Sequence, residues 1–342
     1  MGRLTAGVAV QRGLSPLLLG RDPAALRRVA GPLGLSVRAV GLADPDRLAG
    51  ALADVTVLLN AAGPFGVTAP PLVDACLRTG THYLDFAGEA VDFAALAGRD
   101  DELRRAGVMA MPGVGFGVVP TDAVARHLVD RLPSATRVEL TFATEGGLSR
   151  GTVGTLLDGL PQVGWQYRDG RLVPARAGER RRRVPDGRGG SLLAVTNPWR
   201  ADLVSAPVTT GVPTVSTFTV LPGPVRALMG VAPRVPWLFT AGWSRRLQAA
   251  LVRRLPAGPD DAALRAGSSL VHGLASDDDG GRVEAVLTGP EPYLYTAHTG
   301  AELLARSADG RVEPGFATPA GVHGVDVARC APGVHLVDLE AR

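Results

Sequence analysis

The chain has 342 residues, a length that fits two domains of roughly 150 residues each. With 46% hydrophobic and 20% charged residues it can bury a sizeable core, which excludes an intrinsically disordered chain. A formal net charge of only +3 excludes a nucleic-acid-binding surface spread over the whole molecule; all 36 basic residues are arginine, which excludes Schiff-base, P-loop and proton-donating lysine chemistry.

The first 118 residues alternate helix and strand signals. Residues 3–12 read as helix, Leu17–Leu19 as a short strand ending at Gly20, 23–30 as helix, Ser36–Val40 as strand and 44–52 as helix. The apolar, partly β-branched run Val55–Leu59 reads as a central strand. Pro70–Thr79 is predicted helical, Tyr83–Phe86 a strand, Val91–Ala106 a helix and Val108–Met111 a strand. Short strands alternating with helices predict an α/β fold with a Rossmann-type, doubly wound parallel sheet.

A helix from about Thr121 follows, with Val124, Leu128 and Leu132 on one face. Arg137–Thr144 alternates like a half-buried strand, and the Val- and Thr-rich stretches 203–221 and 282–287 read as further strands. They predict a second, α+β domain on a mixed or antiparallel sheet. Residues 168–190, with Arg180–Arg183 among Gly, Pro and Asp, read as a solvated loop, an anion clamp being the alternative. Residues 223–257 interleave Trp237, Phe239, Trp243, Leu247 and Leu251 with Arg234, Arg245, Arg246, Arg253 and Arg254. Packing onto the body, peripheral contact with a membrane and an apolar lid for an acyl chain all suit that pattern. The expected domains are 1–120 (dinucleotide binding), 121–295 (substrate) and a C-terminal segment, 296–342, packing back toward the domain junction.

Cys76 and Cys330 are too few for a disulfide framework, which points to a reducing, cytoplasmic setting. The six histidines show no HExxH spacing, so no metal is expected. No 18-residue apolar run spans a membrane, and Pro16, Gly20 and Arg21 interrupt any signal peptide.

A doubly wound sheet ordinarily opens with a strand and a glycine turn that presents a helix N-terminus to a pyrophosphate. Here the chain opens as Met1-Gly2-Arg3-Leu4-Thr5, already at a helix start, and Gly2 fits the last glycine of a G-x-x-G-x-x-G turn. The first strand and most of that turn are missing from the expected sheet. A start assigned too late or a lost cofactor site would each account for this. The second strand ends in Gly20-Arg21, where an NAD enzyme places an acidic residue for the ribose; the arginine suits the 2′-phosphate of NADP(H).

Asn60-Ala61-Ala62-Gly63-Pro64-Phe65, with Gly80 to Glu89 and the Pro112–Gly117 loop, resembles the saccharopine dehydrogenase-like oxidoreductases. Weaker echoes follow at 149–152, 210–213 and 315–320, and the branch most resembled is the trans-acting enoyl reductases. The resemblance implies that Gly2, Arg3, Gly20, Arg21, Asn60 to Phe65 and Gly115 hold NADP(H), with Gly113–Gly117 a flexible loop closing over the nicotinamide. It places Asp85 and Glu89 beside that ring, where they orient a ribose, relay a proton or simply cap the following helix, the cap being at least as favoured as catalysis. In the absence of lysine the proton comes from Tyr83, Asp85, Glu89, a histidine or water. Ser149, Gly151 and Thr152 become substrate-side groups. The implied reaction reduces an activated C=C or C=N bond of a small-molecule or acyl substrate, with a homodimer as a further expectation and no nucleic acid involved. A cofactor-free descendant acting as a cyclase, isomerase or binding protein is the runner-up. Gly147–Gly151 also spells G-x-S-x-G, the hydrolase elbow, with His323 or His335 as base. Thr144-Glu145-Gly146 separates it from its strand, so the elbow reading ranks below the oxidoreductase.

Overall fold

The computed structural model describes residues 1–145, 163–187, 189–231, 235, 237, 239, 241–254 and 258–340. Two units divide the chain. One is Met1–Val119 with Leu294–Ala331, the other Pro120–Tyr293 with Pro332–Arg342.

The first unit runs α1 (Gly2–Gln11), β1 (Leu18–Gly20), α2 (Pro23–Ala30), β2 (Val37–Ala39), α3 (Pro45–Leu52), β3 (Val57–Asn60), α4 (Phe65–Thr79), β4 (His82–Asp85), α5 (Ala90–Ala97), α6 (Asp100–Arg105) and β5 (Met109–Met111). Its helix starts follow from local chemistry. Asp22 and Asp44 accept N–H bonds of the first turns of α2 and α3, each just before a proline whose fixed φ suits the first helical position. Two predicted boundaries shift. α4 begins at Phe65 and carries Pro70 and Pro71 inside it, and the expected helix 91–106 breaks at Gly98-Arg99 into α5 and α6.

β3, β4 and β5 pair in parallel, and β14 (Gly315–Phe316) adds to the β5 edge, giving the order β14-β5-β4-β3. β1 and β2 pair in parallel as a separate two-stranded sheet. The expected parallel sheet therefore comes in two pieces, and β1 does not pair with β3. Burial follows this division: β5 and most of β4 are buried, whereas β1 and most of β3 are only half-buried. A strand with a neighbour on one side only shows more of itself to solvent.

The core of this unit contains Leu84, Phe93, Leu103, Met109 and Met111. The helix Pro292–Ala308 completes it. Its Thr299 hydroxyl donates to the Val114 carbonyl, and Gly300 lies so close to Phe86 that a Cβ would stand 2.6 Å from the ring. Ala297 and Ala301 pack on Val8 and Ala9 of α1.

The second unit opens with α7 (Val119–Arg131). Its strands are β6 (Arg137–Glu145), β7 (Gly164–Arg168), β8 (Arg171–Ala175), β9 (Arg181–Pro185), β10 (Ser191–Thr196), β11 (Thr214–Val220), β12 (Ser268–Ser276), β13 (Arg282–Pro290) and β15 (His335–Leu339). They form one sheet in the order β15-β13-β12-β6-β11-β10-β9, with β7 on β11 and β8 on β7. It is mixed, as expected: β6 and β11 are parallel and the other pairs antiparallel. α7 lies against β12 where Gly273 leaves room for Val124 and Leu128.

Two expectations are corrected in this unit. Residues 168–190 are not a solvated loop, since they contain β8 and β9. Strand alternation puts Arg180 and Arg182 on one face, where both pair with Glu139 and stack on the Phe218 ring at 5.4 Å. Those guanidiniums are engaged, which replaces the anion-clamp alternative. Residues 203–221 are also not strand throughout: Asp202–Thr210 is a helix, closed by Gly211 at φ +73°. Its threonines find helical partners despite their β preference. Thr210 donates to the Ala206 carbonyl and Thr209 to Asp122. The C-terminal segment also divides, with residues 294–331 in the first unit and 332–342 in the second.

Candidate functional site

Parallel strands of an open α/β sheet present ligands at their C-terminal ends. Asn60 ends β3 and Asp85 ends β4, paired in register. Tyr83 shares Asp85's face, two residues back.

These three side chains form a buried relay. Asn60 Nδ2 donates to Thr68 Oγ1 and to the Tyr83 hydroxyl, both at 3.0 Å. Tyr83 donates to Asp85 Oδ2 at 2.9 Å. Asp85 Oδ1 accepts the N–H groups of Ala87 at 2.8 Å and Gly113 at 3.1 Å. At the other end, Thr68 donates to the Ala62 carbonyl, and Asn60 Oδ1 accepts the Ala62 N–H. The relay ties the turns after β3, β4 and β5 to one another.

Burial decides what the relay can do. Tyr83 is 0%, Asp85 2% and Asn60 3% exposed. Burial, with the Asp85 carboxylate beside it, pushes the Tyr83 phenol far above its ordinary range. Burial raises Asp85 to about 6, opposed by its three donors. In this geometry both groups are closed off from solvent and brace the edge.

The loop around Gly115 is packed more tightly than a flexible loop would be. Residues 113–116 are buried, so the loop is a packed turn and not a cover. Gly113 adopts φ +72° against Phe93 and Val118, and a Cβ on Gly115 would meet Thr296 and Phe86. The Phe116 N–H donates to Thr296. These glycines answer to packing.

Other predicted residues stand at the open edge. Ala62, Gly63 and Pro64 are exposed, as are Gly2 and Arg3. A Cβ on Gly2 would lie 3.5 Å from that of Ala61, so the start of α1 adjoins the β3 turn. Arg3 lines a cavity of about 560 Å³ together with Arg28 of α2. Gly20 packs under Leu26 at the end of β1, and Arg21 beyond it is exposed. Asp22 does not compete with Arg21 for a ribose, because its carboxylate caps α2.

Glu89 is half-buried just before α5 and accepts the Gly88 N–H. Sequence reasoning missed its neighbour Asp92, although a spacing of three on a helix places the two side by side. Burial, then the Glu89 charge, raises Asp92 to about 6. Asp92 Oδ1 lies 3.1 Å from where a Cβ on Gly66 would be, at the first turn of α4. An acid poised near neutrality thus lies at this edge. Thr68 and Thr296 were missed as well. Ser149, Gly151 and Thr152, and with them the hydrolase elbow, lie outside the described residues. No group of three or more metal-ligating side chains occurs among the described residues.

Residues 1–111 match the family model of the saccharopine dehydrogenase NADP binding domain. This segment is similar to the NADP-binding domain of the saccharopine dehydrogenases. Over 114 residues the chain is 28% identical to the Arabidopsis thaliana protein named "Probable mitochondrial saccharopine dehydrogenase-like oxidoreductase". The match takes in 31% of this chain and 25% of that protein, a quarter of the relative's length. Saccharopine dehydrogenase (L-Glu forming) of Saccharomyces cerevisiae has the same fold, with a TM-score of 0.65 and 13% identity over 98% of this chain and 97% of that one. In this matched segment, Gly2, Arg3 and Ala62 to Pro64 form the open edge, and the buried relay holds its turns in place. No helix among the described residues is long and apolar enough to cross a membrane.

Proposed function

We propose that the chain is an NADPH-dependent oxidoreductase that reduces an activated C=C or C=N bond of a small-molecule or acyl substrate. The match of residues 1–111 to an NADP-binding domain carries this reading. The chain's own residues fit such a cofactor. Helix α1 starts beside the β3 turn, the turn is exposed, and so is Arg21. Arg21 would hold the 2′-phosphate, and Gly2 and Arg3 the pyrophosphate at a helix N-terminus. When bound, NADPH supplies the hydride.

The protein's part is position and a proton. The relay Asn60–Tyr83–Asp85 keeps the β3, β4 and β5 turns in one arrangement. Asp92, raised to about 6 by burial and then by the Glu89 charge, holds a proton and delivers it from a carboxyl oxygen. Ser149, Gly151 and Thr152 are proposed to contact substrate. The motifs shared with the trans-acting enoyl reductases favour an unsaturated acyl thioester.

The test is a calorimetric titration with NADPH and NADH, followed by NADPH consumption with a crotonyl thioester as probe. NADPH binding preferred over NADH, with turnover of the thioester, is the expected result. Failure of both dinucleotides to bind overturns the proposal and leaves the cofactor-free cyclase, isomerase or binding protein.

A further inference from the structure

The helix Gly242–Arg254 in the second unit wears its amphipathic pattern inside out. Ser244 is only 6% exposed, and Gln248, one turn on, donates to the Ser244 hydroxyl and the Phe239 carbonyl. Trp243 and Leu247 face solvent, at 59% and 54% exposed. Trp237, just upstream, is 64% exposed. Globular helices turn apolar residues inward and polar ones outward. This one buries serine, half-buries glutamine and displays tryptophan and leucine. The segment is nevertheless anchored to its unit. Met229, Val225 and Phe239 pack on the core cluster Ala177, Val195 and Leu221.

Charge sorts with the same surface. Between Asp202 and Asp260 the sequence has no acidic residue, in a chain that carries 33. Six arginines fall in that interval, and Arg245 and Arg246 are exposed beside Trp243 and Leu247. Tryptophan favours the boundary between water and hydrocarbon, and arginine favours the anionic headgroups next to it. An acidic protein surface would satisfy the arginines alone. It would leave two indoles and a leucine without an apolar phase.

We propose that this face is a docking surface for an anionic lipid bilayer, with Trp237, Trp243 and Leu247 entering the headgroup boundary and Arg245 and Arg246 on the phosphates. The helix lies on the membrane plane and does not cross it. The proposal is independent of the cofactor reading.

Full-length protein is floated with phosphatidylcholine vesicles containing about 30% phosphatidylglycerol, and with phosphatidylcholine alone, while tryptophan emission is recorded. Flotation with the anionic vesicles, an emission blue shift and weakening by salt are expected. The double variant Arg245→Gln/Arg246→Gln should lose about thirtyfold in partitioning, near one headgroup attraction per arginine. Trp243→Ala/Leu247→Ala should lose at least tenfold and the emission shift. Both pairs are exposed, so unchanged thermal melting is expected, and each pair is a folding control for the other. Three results overturn the proposal. One is absence of flotation with anionic vesicles. Another is variants that float like the parent. The third is a dimer in solution that Trp243→Ala/Leu247→Ala dissociates, which assigns the face to a second copy of the chain.

Discussion

Replacing Tyr83 with Phe deletes one oxygen from the centre of the buried relay and leaves the ring in place. Asp85 Oδ2 loses its donor, a bond to a charged group worth about 1.5–3 kcal/mol. Asn60 keeps Thr68 but has one amide hydrogen without a partner in a site that water does not enter, at a cost of about 1–2 kcal/mol. Together these predict a loss of about 2.5–5 kcal/mol confined to the first unit, or roughly 5–20 °C in its melting temperature. All four tryptophans, Trp165, Trp199, Trp237 and Trp243, belong to the second unit, so their fluorescence should not report the loss. The assay is hydrogen exchange of the β3 and β4 amides, with far-ultraviolet circular dichroism for the melt. Removing the Tyr83 donor should also move Asp85 further above about 6, because that hydrogen bond favours the carboxylate. Loss of less than about 1 kcal/mol, or faster exchange only in the second unit, would refute the relay as the element that holds the edge.

Replacing Arg21 with Glu should abolish preference for NADPH over NADH in calorimetry, whereas equal relative affinities before and after would make Arg21 a bystander. Asp85 titrates near 6 in the folded state against about 3.9 when unfolded, so the folded chain binds the extra proton in between. Stability should fall as pH rises from about 4 to 6, by up to about 3 kcal/mol, and level off above; denaturant titrations at several pH values should show a flatter profile for Asp85→Asn. At Gly113 an Ala would suffer positive φ and clash with Phe93 and Val118, while at Gly107, also at positive φ, it meets open space. Thermal melts should therefore show Gly113→Ala losing about 2–4 kcal/mol and Gly107→Ala about 1–2 kcal/mol.

Much of the first unit is legible in sequence because its strands are apolar runs bounded by glycine and proline. β8 and β9 hide behind arginine. Arg180 and Arg182 alternate as strand residues should, but Arg181 and Arg183 fill the gaps and blur the period. The helix Asp202–Thr210 hides behind Val and Thr, and tertiary contacts overrule their preference. The relay is visible as a motif, but its role is not. Only burial separates a proton donor from a brace, and burial at Tyr83 and Asp85 depends on neighbours distant in sequence. The Gly115 turn makes the same point, since Thr296, which closes it, has no local signal. Asp92 was within reach, three residues from Glu89.

The chain passes from the first unit to the second and back again before finishing in β15. On the ribosome this has a cost in time. Residues 1–119 emerge without Thr296, Thr299 and Gly300, which complete the packing around Phe86 and Val114. At about 5–20 residues per second the stretch from Pro120 to Tyr293 takes roughly 9–35 s to make. Throughout that interval the nascent first unit has an uncovered apolar flank, open to chaperones and to neighbouring nascent chains.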